Sequence, residues 1–156
     1  MSTSSAAALI PVERPSPPSE AQEASSDLAP LILLVDDSPE DLAFYAANLI
    51  GAGFRVETAS TGSGGVARAG SLIPDLVVMD LEMPGIDGWE ATRLLASREQ
   101  TANIPVVAFS GFHGTAIVMR AICAGCCTFV PKPCLAEELQ VAVRSTLARA
   151  TARRRS

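Results

Sequence analysis

The sequence predicts an α/β fold, a parallel five-stranded sheet doubly wound between helices, and three observations predict it. Apolar runs alternate with helical segments five times between Leu31 and Ala150, the order of elements that builds a parallel sheet covered on both faces. The runs are continuous where a half-exposed strand would alternate; Leu76-Val77-Val78-Met79 is the clearest. Four of the five then end on polar or charged residues: Asp36-Asp37, Asp80, Ser110 and Lys132.

Leu31 to Val35 is the first apolar run. Ser38 follows as an N-cap, with Pro39 at the first helical position and Asp41 completing a capping-box-like pattern. The helix carries Leu42, Phe44, Tyr45 and Leu49 and stops at Gly51-Ala52-Gly53. Phe54 to Ala59 reads as the second strand. A glycine-rich helix is expected around Gly62 to Ala69.

The central strand ends in Asp80, and Met83-Pro84-Gly85 and Asp87-Gly88 turn the chain after it. An ionised carboxylate at the end of a buried strand is costly unless compensated, so this segment describes either a site or an acid that caps the next loop. Asp87 or Gly88 opens a third helix through Trp89, Leu94 and Leu95, as far as Arg98. Ile104 to Ser110 is the fourth strand, and Thr115 to Ala124 the fourth helix, closed by Gly125. Cys127 to Pro131 makes a short last strand, and a helix runs from about Leu135 to Ala150.

With 156 residues, 48% hydrophobic and 19% charged, the chain has room for one domain with a core. Residues 1–30, rich in Ser, Ala and Pro, are expected to be a disordered tail. Residues 31–150 form the domain, and 151–156, with Arg153, Arg154 and Arg155, a solvated basic tail. A net charge of −5 argues against nucleic acid as the main partner. No apolar stretch is long enough to cross a membrane and the N-terminus lacks a signal-peptide pattern. Cys123, Cys126, Cys127 and Cys134 crowd into one segment, which is no disulfide framework; a reducing cytoplasm is the expected location.

In an open parallel sheet, ligands bind beyond the carboxyl ends of the strands. Four strands placing polar groups there is more specific than any single motif. Lys132 adds to it: it is the only lysine, against eleven arginines, which suggests a need for a compact point charge.

Asp36-Asp37, Asp80, Met83-Pro84-Gly85, Ser110-Gly111 and Lys132-Pro133, in this order, resemble a two-component response regulator receiver domain over roughly Leu31 to Ala150. The resemblance implies a flavodoxin-like sheet of order 2-1-3-4-5. It implies that Asp80 accepts a phosphoryl group from a phosphohistidine of a sensor histidine kinase or histidine phosphotransferase. Mg2+ (or Mn2+) would be held by Asp37, Asp80 and the Glu82 backbone carbonyl, with Asp36 acting mainly through water. Lys132 would pair with the phosphoryl oxygens and Ser110 would donate to them. It also implies a cis Lys132-Pro133 peptide. Phe129 is either the aromatic switch that turns inward as Ser110 moves or a permanent core residue. The helix 115–124, strand five and the last helix would be the face that signals to a downstream protein, with homodimerisation on phosphorylation as a further expectation.

The expected protein is thus a stand-alone phosphorylation switch and not an enzyme in its own right. Two other readings differ in class: a receiver-like interaction module that is never phosphorylated, and an aspartyl-nucleophile phosphatase. The second usually wants an Asp two residues after the nucleophile, where this chain has Glu82. Glu82 and Phe112 are expected to flank the approach of water to the acyl phosphate. The cysteines are expected to be small buried hydrophobes, with metal or redox use as the alternative. His113 is expected in a solvent-facing loop, and Trp89 either in the core or on a partner surface.

Overall fold

The computed structural model describes residues 29–111 and 114–155. Its strands are β1 (Leu31–Val35), β2 (Arg55–Ala59), β3 (Leu76–Asp80), β4 (Val106–Ser110) and β5 (Thr128–Pro131); its helices are α1 (Pro39–Gly51), α2 (Gly62–Leu72), α3 (Gly88–Ser97), α4 (Thr115–Ala124) and α5 (Ala136–Arg155). All strand pairs are parallel and the sheet order is 2-1-3-4-5, as expected. Of the expected tail 1–30, residues 1–28 lie outside the described residues, as do Phe112 and His113.

Period-two alternation splits the buried strands between two cores. Leu33, Val35, Val77, Met79, Val106 and Ala108 face one side, where Val66 and Ala69 of α2, Ala91 and Leu95 of α3, and Ala121 and Ala124 of α4 cover them. Ile32, Leu34, Leu76, Val78, Val107 and Phe109 face the other, against Tyr45 and Leu49 of α1 and Leu139 and Val143 of α5. Every residue of β3 and β4 is buried, at about 1.5–3 kcal/mol for each large apolar side chain.

The helix starts are locally encoded. Ser38, Thr61 and Asp87 each accept a backbone N–H from three residues on, the bond of an N-cap. Several expected boundaries shift. The second, fourth and fifth strands begin one or two residues later, at Arg55, Val106 and Thr128, because ladder pairing starts there. Helix α2 continues past Ala69 to Leu72 and ends on Ile73, which holds the left-handed conformation (φ 45°) ahead of Pro74.

The expected basic tail is a further correction, since Arg153, Arg154 and Arg155 form the last turn of α5. Cations there complement the helix dipole and give the turn a reason to hold. Trp89 belongs to the core, with the Arg120 guanidinium 3.9 Å above its ring. The cysteines depart from expectation as well: Cys126 is buried and Cys134 half-buried, but Cys123 and Cys127 are exposed. Among the described residues no cysteine belongs to a cluster with metal-ligand spacing.

Candidate functional site

The register brings the polar strand ends together. Asp80 pairs with Phe109 across β3–β4, and Ser110 with Pro131 across β4–β5. Lys132 therefore stands one residue beyond the ladder, its N–H donating to the Ser110 carbonyl at 2.7 Å. The Lys132-Pro133 peptide is cis, as expected. The tight turn after β3 depends on Gly88, since a Cβ there would overlap the Asp80 carbonyl oxygen and crowd the Leu81 Cα.

Asp36, Asp37 and Asp80 converge, with one carboxylate oxygen from each lying within 4.8 Å of the others. Asp36 and Asp80 are buried and Asp37 is exposed. Lys132 compensates them: its Nζ lies 2.6 Å from Asp36 Oδ2 and 3.6 Å from Asp80 Oδ2. Its third partner is Asp41 Oδ2 at 3.0 Å. The Phe109 ring lies beneath the ammonium, 4.8 Å from centroid to Nζ, and Tyr45 meets that ring edge-on.

The remaining polar groups are fixed by short-range bonds. Asp80 Oδ1 accepts the Glu82 N–H at 3.0 Å and Asp36 Oδ1 accepts the Ser38 N–H at 2.9 Å. Ser110, fully buried, donates its hydroxyl to Glu82 Oε1 at 2.9 Å. Phe129 is half-buried and packs against the core that faces α2, α3 and α4.

Burial pushes the Asp80 carboxyl up to about 7; the Glu82 amide bond pulls against this, the Asp36 charge adds to it, and Lys132 opposes it. For Lys132 burial works to lower the pKa, but the bonds to Asp36 and Asp41 outweigh it and hold the ammonium above its usual range. A buried acid raised by desolvation and a neighbouring like charge, set beside a charge partner, is a candidate functional group.

A family model, the response regulator receiver domain, matches residues 32–144. The chain belongs to the response regulator receiver family. The receiver is 34% identical over 120 residues to the DNA-binding dual master transcriptional regulator RpaA of Synechocystis, a match covering 77% of this chain and 50% of that protein. It is 45% identical over 76 residues to protein PilH of Pseudomonas aeruginosa, covering 49% of this chain and 63% of PilH. The chain thus spans about half the length of these curated relatives.

Among solved structures, the receiver domain of a signal transduction histidine kinase from Syntrophus aciditrophicus is 29% identical with a TM-score of 0.71, covering 77% of this chain and 91% of that one. A receiver domain of a Pseudomonas aeruginosa sensor histidine kinase, with a magnesium ion coordinated in its active site cleft, is 28% identical with a TM-score of 0.72, covering 77% and 98%. The receiver is therefore a two-component signalling domain with a flavodoxin-like fold.

Asp36, Asp37, Asp80, Glu82, Ser110 and Lys132, the positions that the sequence marked, gather at one edge, and Phe129 lies on β5 beside it. Asp36 accepts a hydrogen bond from the Lys132 ammonium. Asp41 is the residue that sequence reasoning misses: local pattern makes it half of a capping box, but its carboxylate reaches Lys132, 91 residues away.

Proposed function

We propose that this receiver is a phosphoacceptor switch in which Asp80 takes a phosphoryl group from a phosphohistidine and passes the change to a protein partner. One observation carries the reading: three carboxylates meet within 4.8 Å, with the lysine Nζ 3.6 Å from Asp80. In the step, an Asp80 oxygen attacks phosphorus, the O–P bond forms, the P–N bond of the phosphohistidine breaks, and the released imidazole takes its proton from water. The phosphoryl charge is then met by the Lys132 ammonium. Phosphoryl transfer is chiefly positioning and charge stabilisation, and the site supplies both.

The donor set fits a hard divalent cation, since every group offered is an oxygen and three are carboxylates. Asp36, Asp37, Asp80 and the backbone carbonyl of Glu82 would hold Mg2+ or Mn2+, which supplies charge neutralisation when bound.

The switch follows from Ser110. Its hydroxyl is engaged by Glu82; drawn to a phosphoryl group, it leaves that partner and opens space toward β5, where Phe129 is half-buried. The responding face is α4, β5 and α5. Met119 and Ile122 of α4 are exposed there, at 53% and 51%, a surface suited to an apolar partner contact.

Incubation with Mg2+ and acetyl phosphate, followed by intact mass measurement, tests the reading. A hydroxylamine-labile phosphoryl adduct is expected on the wild type and none on Asp80→Asn. An unmodified wild type overturns the proposal.

A further inference from the structure

We infer that Asp41 is a positioning residue that competes with the phosphoryl group for Lys132, and so sets how readily the site accepts it; the inference rests on the phosphoacceptor reading above. Lys132 offers one positive charge to three carboxylates: Asp36 at 2.6 Å, Asp41 at 3.0 Å and Asp80 at 3.6 Å. Asp36 and Asp80 also belong to the triad suited to a cation. Asp41 does not. It is the carboxylate on Lys132 that has no second task in that triad.

Local structure explains why Asp41 is available. In a complete capping box the residue three beyond the cap bonds back to the cap's N–H. Here Ser38 accepts the Asp41 N–H at 3.3 Å, but the Ser38 N–H is given to Asp36 Oδ1 at 2.9 Å. Asp36 thus takes the bond that Asp41 would have made, and the first turn of α1 projects the Asp41 carboxylate over the site. Its side chain is 38% exposed, against 1% for Asp36 and 5% for Asp80. It sits at the solvent mouth, where an anionic donor must enter.

A phosphoryl group on Asp80 brings close to two negative charges, and Lys132 is the nearest mobile cation. To serve it fully, the ammonium must loosen from Asp41. Asp41 also repels the incoming anion directly. Both effects have one sign, so neutralising Asp41 favours the phosphorylated state. Asp36 remains at 2.6 Å to keep the lysine in place.

Lys132 is the only lysine in the chain, so uniform 13C,15N-lysine labelling gives it a signal free of overlap. In the full chain without metal, Asp41→Asn is expected to shift the Lys132 ε-methylene resonances and speed exchange of its ammonium protons, and Asp41→Glu to restore both. An unmoved Lys132 signal overturns the inference.

With Mg2+ and beryllofluoride as the phosphoryl mimic, Asp41→Asn is expected to bind roughly two- to ten-fold more tightly than wild type, the effect of one partly exposed charge pair. Its acetyl phosphate labelling rate should rise in the same direction, with Asp41→Glu near wild type. A wild type that takes the mimic while Asp41→Asn binds it no more tightly overturns this inference alone. A wild type that takes neither mimic nor phosphoryl group overturns the phosphoacceptor reading and this one with it.

Discussion

Ser110 donates its hydroxyl to Glu82 Oε1 at 2.9 Å, and Glu82 gives its backbone N–H to Asp80 Oδ1 at 3.0 Å. One residue thus ties the end of β4 to the end of β3 by its side chain and its main chain. The side-chain link opposes any movement of Ser110 toward a group on Asp80, and the main-chain link survives substitution.

Removing the Glu82 carboxylate should therefore ease switching and leave the Asp80 carboxylate bonded as before. A hydrogen bond to a charged acceptor contributes about 1.5–3 kcal/mol, part of which Ser110 recovers at its new partner. Glu82→Ala is expected to bind beryllofluoride roughly three- to ten-fold more tightly in Mg2+. Calorimetric titration of both proteins measures it, and equal affinities would show that the Ser110–Glu82 bond is not broken on switching.

Gathering Asp36, Asp37 and Asp80 within 4.8 Å with one lysine among them leaves the edge rich in negative charge. A cation that binds only the folded arrangement stabilises it by mass action, by about 1.4 kcal/mol at ten times its Kd. Saturating Mg2+ is expected to raise Tm by roughly 3–8 °C, and EDTA to reverse the shift. Asp37→Asn, at an exposed position that the fold does not need, should abolish the Mg2+ response with little change in the metal-free Tm. A Mg2+ response that survives this substitution would remove Asp37 from the metal site.

The carboxyl edge was legible because each apolar run breaks off at a polar residue, and in parallel strands such breaks coincide in space. Asp41 was not legible. Local capping rules assign it to Ser38, and only tertiary structure reveals that Asp36 already holds the Ser38 N–H and that Lys132 lies within reach. The cysteines show a similar limit. Four thiols in twelve residues look alike in sequence, yet Cys126 turns inward under Thr92 while Cys127, next along the chain, turns out. The arginines at the end of α5 carry no apolar period, so a reading based on periodicity leaves them outside the helix that the backbone continues.

Burial pushes the Cys126 thiol up to about 11; the Thr92 hydroxyl opposes this and Cys127 adds to it. An unfolded cysteine ionises near 8.5. Between these values the unfolded chain has released its proton and the folded chain has not, so stability falls as pH rises and is unaffected by this group below about 8. The loss approaches roughly 2 kcal/mol by pH 10.5. Urea denaturation of wild type and Cys126→Ala at pH 7.5 and 10.5 isolates it: the wild type should lose more stability over that interval by about this amount. Identical losses would mean that the thiol titrates normally. At pH 8, exposed Cys123 and Cys127 should react with a thiol reagent well before Cys126.

The turn that carries Asp80 rests on Gly88. Gly88 opens α3 against the end of β3, and its own N–H donates to the Leu81 carbonyl at 3.3 Å. A methyl group there meets the Asp80 carbonyl and the Leu81 Cα, which are backbone atoms in a buried segment and cannot rotate away. Either α3 lifts from the sheet, weakening the packing of Trp89, Ala91 and Leu95, or the Asp80–Leu81 peptide moves and takes the carboxylate with it. Overpacking of this kind costs about 1–3 kcal/mol. Gly88→Ala is expected to lose that much in urea denaturation and, where it stays folded, to label with acetyl phosphate at least ten-fold more slowly than wild type. Gly70→Ala, at a half-buried helical glycine where an added Cβ meets nothing within 4 Å, should gain a few tenths to about 1 kcal/mol and label normally. Normal labelling of a destabilised Gly88→Ala would show that α3 absorbs the clash and that the position of Asp80 does not depend on this glycine.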